Sequence, residues 1–149
     1  MAAFNWQEAG DKKPSGRGVI SPVKITVGDN ESRDSAMPTV GIFEFDTLGT
    51  GPSWRATAWT AAFMASTLLG RNLGDKDIEF RAVGYIDGPS AGALFTVAVM
   101  ALVQEHDLDP TITMTGTIEP DASIGRVGGV KHKIDAAAKA GLKKVLVPS

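Results

Sequence analysis

The sequence predicts an α+β domain, a mixed α/β sheet with helices packed on it, and three observations carry that prediction. Several short segments alternate apolar and polar residues at the strand period of two, two others repeat at the helical period, and one longer run is apolar on every face. Gly and Pro breakers separate them in an order that interleaves strands with helices. A chain of 149 residues, 43% hydrophobic and 21% charged, has the length and composition of one globular domain.

Residues 1–17 mix Gly, Pro, Ser and charge without periodicity and read as a flexible arm or linker, with Phe4 and Trp6 available to dock it on the body or on a neighbouring subunit. The domain proper is expected over 18–149. Val19, Val23, Ile25 and Val27 suggest a strand interrupted by Pro22, and Gly28 to Pro38 is turn-rich. Val40 to Phe45 reads as a second strand. Thr50-Gly51-Pro52-Ser53 then opens a helix with Ser53 as the expected N-cap. Trp54, Ala58, Trp59, Ala62, Phe63, Leu68 and Leu69 follow at helical spacing, and Gly70 to Gly74 ends the run.

Ile78, Phe80 and Ala82 alternate with Asp77, Glu79 and Arg81, the mark of a half-buried strand. Past the breaker Gly88-Pro89, Ser90 to about Val103 is apolar all round, so this helix must be buried on most sides. Ile112 to Ile118 is the next strand, and Ala122 to Val127 a hairpin return. Gly128-Gly129 leads to a helix over Lys131 to Ala140 with Gly141 as its C-terminal cap, and Lys144 to Val147 is the last strand.

Composition removes several kinds of chemistry. With no cysteine there is no disulfide, thiolate nucleophile or Cys-based zinc site. Two histidines, His106 and His132, cannot make a three-histidine metal centre. A formal charge of −2 gives no electrostatic reason to expect nucleic acid or an anionic membrane as partner. No apolar run approaches the ~18 residues of a membrane span, and the N-terminus has no secretory pattern. The expectation is a cytoplasmic domain.

Ser90 follows Gly-Pro, heads an apolar helix and precedes Ala91-Gly92, so small neighbours let another backbone come close. The first turn of a helix offers N–H groups without intrahelical partners, which suit an oxyanion. Local sequence alone favours the plainer reading of Ser90 as an N-cap for a buried helix. A serine nucleophile needs a base. His106 lies 16 residues on, roughly 24 Å along a helix rising 1.5 Å per residue. In the last helix Lys131, Asp135 and Lys139 form a charged stripe, whereas Lys133 stacks with Ala136, Ala137 and Ala140. Such a lysine either extends its ammonium to water or sits in a low-dielectric pocket that depresses its pKa. The helix pattern leaves both open.

Taken together these segments resemble a known family. Asp87-Gly88-Pro89-Ser90-Ala91-Gly92 is similar to the active-site motif of Lon peptidases, Met114-Thr115-Gly116 to their strand motif, and Gly128-Gly129-Val130-Lys131-His132-Lys133 to the segment carrying their catalytic lysine. Ser90 and Lys133 lie 43 residues apart, which matches the family register. The ending Ala140 to Pro148 is also family-like. The resemblance implies a Ser-Lys dyad endopeptidase with a fold similar to ribosomal protein S5 domain 2, acting on peptides or unfolded proteins through an acyl-enzyme. It gives Ser90 as nucleophile, Lys133 as base, Thr115 as the threonine that bonds the lysine, and Asp87 as a support for the turn before the serine.

No metal or organic cofactor is called for. The family also implies a homo-oligomeric ring of six subunits. Within these 149 residues there is no Gly-x-x-x-x-Gly-Lys-Ser/Thr loop, so any ATPase is expected as a separate partner or as a fused domain. Two departures stand out. The family usually places Glu after Thr-Gly, where this chain has Thr117, and the family domain is expected to continue past Ser149. The rival readings are a non-catalytic assembly module of the same fold, a hydrolase with His132 as base, and a self-processing protease.

Overall fold

The computed structural model describes residues 2–5, 18–45 and 49–149, with the backbone alone at 2–5. Among the described residues eight strands and three helices follow in the order β1 (Ala2–Asn5), β2 (Val19–Asp29), β3 (Thr39–Glu44), α1 (Pro52–Leu69), β4 (Lys76–Ala82), α2 (Gly92–Val103), β5 (Ile112–Met114), β6 (Thr117–Ile118), β7 (Ile124–Gly125), α3 (Val130–Lys139) and β8 (Lys144–Leu146). This is the expected α+β alternation. Its strands, however, divide into one four-stranded sheet of order β1-β2-β4-β3 and two small pairs, β5-β8 and β6-β7.

The large sheet is mixed. β2 runs antiparallel to both β1 and β4, while β3 lies parallel to β4. Parallel neighbours need a crossover, and α1 supplies it between β3 and β4. Part of the expected arm, Ala2–Asn5, adds to the edge of β2; the rest of it, residues 6–17 with Trp6, lies outside the described residues. Pro22 does not interrupt β2. It faces Ala2 at the end of the β1 pairing, and the β4 pairing starts at Val23, so the missing N–H falls where the strand changes partner.

The alternation in β4 behaves as its sequence requires: Ile78, Phe80 and Ala82 are buried, and the residues between them are not. Phe80 meets Trp54 of α1 edge-on and Phe95 of α2 in a tilted contact, with centroids 6.3 and 5.2 Å apart. Trp54 and Phe95 close the triangle at 5.4 Å. Each such ring pair contributes about 0.5–1.5 kcal/mol beyond its burial, so this trio fixes both helices against one strand. Trp59 and Phe63 depart from the expected inward face of α1, standing 48% and 46% exposed. Trp54, Ala58, Ala61, Ala62 and Ala65 already fill that face, and Trp59 sits one residue, about 100°, beyond Ala58.

Two further boundaries differ from the sequence reading. α1 begins at Pro52, with Gly51 rather than Ser53 at the N-cap and no cap bond from a side chain of its own. The expected strand Ile112 to Ile118 breaks at Thr115-Gly116, because the groups that would continue a ladder are used on the turn that holds Ser90.

Candidate active site

Ser90 occupies a half-exposed turn ahead of α2, whose first helical residue is Gly92. Gly88, at φ +93°, turns the chain in a conformation that side chains disfavour, and Pro89 stiffens the next step. The carbonyl of Ser90 is clamped twice. It accepts the Gly116 N–H at 2.8 Å and the Thr115 hydroxyl at 3.1 Å. In return the Gly116 carbonyl accepts the Ala93 N–H at 3.1 Å. The turn is thereby tied to the break between β5 and β6, which explains why the strand stops there.

Lys133 lies on the buried face of α3 with Ala136 and Ala137, and is only 2% exposed. Ala140, expected on the same face, is exposed at the helix end. Lys131, Asp135 and Lys139 form the solvated stripe. The Lys133 amine donates to Thr115 Oγ1 at 3.1 Å. Among the described residues no carboxylate forms an ion pair with it. Burial without an opposite charge disfavours the ammonium, and its pKa falls from 10.5 to about 8. Desolvation is the cause.

Thr115 joins the two halves of the site. Itself 1% exposed, it donates its single hydroxyl proton to the Ser90 carbonyl and accepts from the Lys133 amine. Its own N–H bonds the Leu146 carbonyl at 3.0 Å, so β8 holds it in place. The direction of the chain matters: an amine that spends one proton on Thr115 keeps its lone pair free when neutral. In this resting arrangement the amine bonds Thr115, not the Ser90 hydroxyl, and unliganded sites commonly tighten such contacts only on binding.

Asp87 acts at one remove. Its Oδ1 accepts the Gly88 N–H at 2.7 Å and the Trp54 N–H at 3.1 Å. It caps the open first turn of α1 from outside, doing for that helix what Ser53 does not. The approach needs Gly51, since a Cβ there would lie 2.1 Å from the Asp87 Cγ. A further bond from Gly51 N–H to the Ile86 carbonyl at 2.8 Å docks the two loops. The Ser90 turn is thus fixed from both sides, by α1 through Asp87 and by β5 through Thr115.

Sequence reasoning looked to the first turn of the helix for oxyanion donors, and two of its N–H groups are already engaged. Gly92 and Ala93 already spend their N–H groups on the Pro89 and Gly116 carbonyls, at 3.0 and 3.1 Å. Among the described residues the N–H groups of Ser90, Ala91 and Leu94 carry no such bond. The signal was present in the small residues Ala91 and Gly92, but the bonding pattern was not. His132 is half-exposed beside the enclosed Lys133, and His106 is exposed beyond the end of α2. Among the described residues no three His, Asp or Glu side chains gather as metal ligands, and no helix is long and apolar enough to cross a membrane.

The arrangement coincides with a family match. The family described as Lon protease (S16) C-terminal proteolytic domain matches residues 82–149, which contain Asp87, Ser90, Thr115 and Lys133. Lon protease 2 of Bacillus subtilis is 30% identical over 139 residues, covering 88% of this chain and 25% of the relative. A Lon protease of Methanosphaera stadtmanae is 36% identical over 106 residues, 66% of this chain and 13% of the relative. The mitochondrial Lon protease homolog of Aspergillus fumigatus is 43% identical over 63 residues, 42% of this chain and 6% of the relative. The chain spans a quarter or less of the length of these relatives. Through residues 82–149 it belongs to the Lon protease (S16) proteolytic-domain family.

Proposed function

We propose that this domain is a serine endopeptidase that cleaves peptides or unfolded proteins through an acyl-enzyme, with Ser90 as nucleophile and Lys133 as general base. The observation that carries the reading is the state of Lys133: enclosed, without a carboxylate partner among the described residues, and held at a pKa of about 8 next to the turn that presents Ser90. With that pKa about a tenth of the amine is neutral at pH 7 and half at pH 8.

The neutral amine takes the Ser90 hydroxyl proton as Oγ attacks the substrate carbonyl carbon. The N–H groups of Ser90 and Ala91 receive the oxyanion. Collapse breaks the C–N bond, and the Lys133 ammonium returns its proton to the leaving amine. Water then attacks the acyl-serine with Lys133 again as base, releasing the acid. Thr115 positions the amine, and Asp87 positions the turn. Also part of this proposal are the fold similar to ribosomal protein S5 domain 2, a homo-oligomeric ring of six, a cytoplasmic location, and a separate or fused ATPase as partner.

The test is labelling with a fluorophosphonate and cleavage of an unfolded protein. Modification mapped to Ser90, with both labelling and cleavage reduced about 10³-fold in Ser90→Ala and Lys133→Met, is the expected result. Cleavage should rise with pH between 7 and 9 as the amine loses its proton. Full activity in Lys133→Met at pH 7 would reject the mechanism.

A further inference from the structure

A pocket of about 390 Å³ opens beside the Ser90 turn, between α1 and the β6 strand, lined by Ala56, Thr57, Thr60, Pro89, Ile118 and Glu119 among others. Pro89 is the residue before Ser90, so the pocket lies next to the turn on which a substrate would be attacked. Resting on the peptidase reading, we infer that this pocket is a side-chain subsite for a long basic residue next to the cleaved bond, with Glu119 as its specificity determinant.

The walls and the end of the pocket have different chemistry. Thr57 and Thr60 turn their hydroxyls back to the Ser53 and Ala56 carbonyls at 2.8 and 2.9 Å, so their polar groups are already satisfied within α1. What remains for an occupant is methyl and methylene surface from these residues, Ala56, Pro89 and Ile118. Glu119 provides the charge. Its Oε1 accepts the Thr117 hydroxyl at 2.6 Å, and among the described residues Oε2 has no hydrogen-bond or ion-pair partner. An apolar channel with one carboxylate matches an aliphatic stem carrying an ammonium or guanidinium.

The carboxylate is held for this task. Glu119 lies just past the end of β6, two residues after Thr117, and the two side chains meet through the Thr117 hydroxyl. Opposite Thr117 in the β6–β7 ladder is Gly125, where a Cβ would fall 2.2 Å from Thr117 Oγ1 and 2.7 Å from Glu119 Oε1. The glycine vacates the space that the pair fills. The hairpin is closed by bonds from the Glu119 N–H to the Ser123 carbonyl at 3.0 Å and from the Ala122 N–H to the Glu119 carbonyl at 2.9 Å, which fix the backbone under the carboxylate. A solvated surface glutamate needs no such seat.

The experiment compares paired peptides that differ only in Lys or Met at each position flanking the cut, using the complete protein in its native assembly. At one flanking position the wild type should favour Lys. Glu119→Gln should reduce the Lys-to-Met ratio of kcat/KM about tenfold, mainly through KM, as expected for losing one charge-assisted bond. Glu119→Lys should shift the preference towards an acidic residue at that position, while fluorophosphonate still labels Ser90. Cleavage by the wild type with no preference, or a ratio unchanged in Glu119→Gln, overturns the subsite and leaves the Ser90–Lys133 reading standing. Absence of both cleavage and Ser90 labelling overturns the two together.

Discussion

Lys76 and Lys133 are both largely withdrawn from water, yet their surroundings push them in opposite directions. Lys76, at the start of β4, has a side chain 12% exposed and bonds Asp29 of β2 as well as Asp75 at 3.1 Å. Those carboxylates, Asp29 first, raise its pKa against a smaller desolvation effect. Among the described residues Lys133 bonds the Thr115 hydroxyl and no carboxylate, and desolvation brings it down to about 8. Low exposure therefore does not set the charge of a lysine. The company of a carboxylate does, and the candidate site is the region where that company is withheld.

The largest consequence is for stability. Below pH 8 the native protein buries a charged Lys133, while the unfolded chain carries the same proton in water. Between pH 8 and 10.5 the unfolded chain still binds the proton and the native one does not, so stability should rise with pH. The full rise corresponds to about 3 kcal/mol. In Lys133→Met this slope should vanish and the protein should be more stable than wild type at pH 7, as read from urea unfolding across the range. Lys76 has the opposite sign, contributing stability at neutral pH that is lost as pH rises through its raised pKa.

A second contrast concerns Thr115, which does for Lys133 what Asp29 does for Lys76, but without charge. Thr115→Val removes the bond from the lysine and one of the two bonds to the Ser90 carbonyl. It should cost about 1–3 kcal/mol of stability and lower kcat about tenfold or more. Thr115→Ser restores the hydroxyl and should recover most of both. Recovery by Ser but not by Val separates hydrogen bonding from packing. The smallest effect is expected for Lys76→Met, a change of about 1 kcal/mol or less, since Asp29 is well exposed and the pair is screened. Its cleavage kinetics should match wild type.

Much of this contrast is legible in the sequence, because α3 announces it. Lys131, Asp135 and Lys139 fall on one stripe, and Lys133 falls with Ala136 and Ala137 on the other. Periodicity thus separates two lysines only two residues apart. The alternation of Ile78, Phe80 and Ala82 likewise reveals its buried face directly. Periodicity is blind to bonds made between distant segments. The split between β5 and β6, the cap that Asp87 gives α1, and the spent N–H groups of Gly92 and Ala93 all arise from contacts across the fold. Trp59 and Phe63 share the helical spacing of the core but not its side, because the alanines of α1 had already filled the contact with the sheet.

The most direct measurement is an NMR titration of the lysine side chains in protein labelled at lysine Cε, with Lys133→Met to assign the resonance. One signal, absent from the variant, should titrate near pH 8 while Lys76 titrates above 10.5. A Lys133 resonance that stays protonated to pH 10 or beyond would contradict the account, because the amine would then have no lone pair to offer Ser90 at working pH.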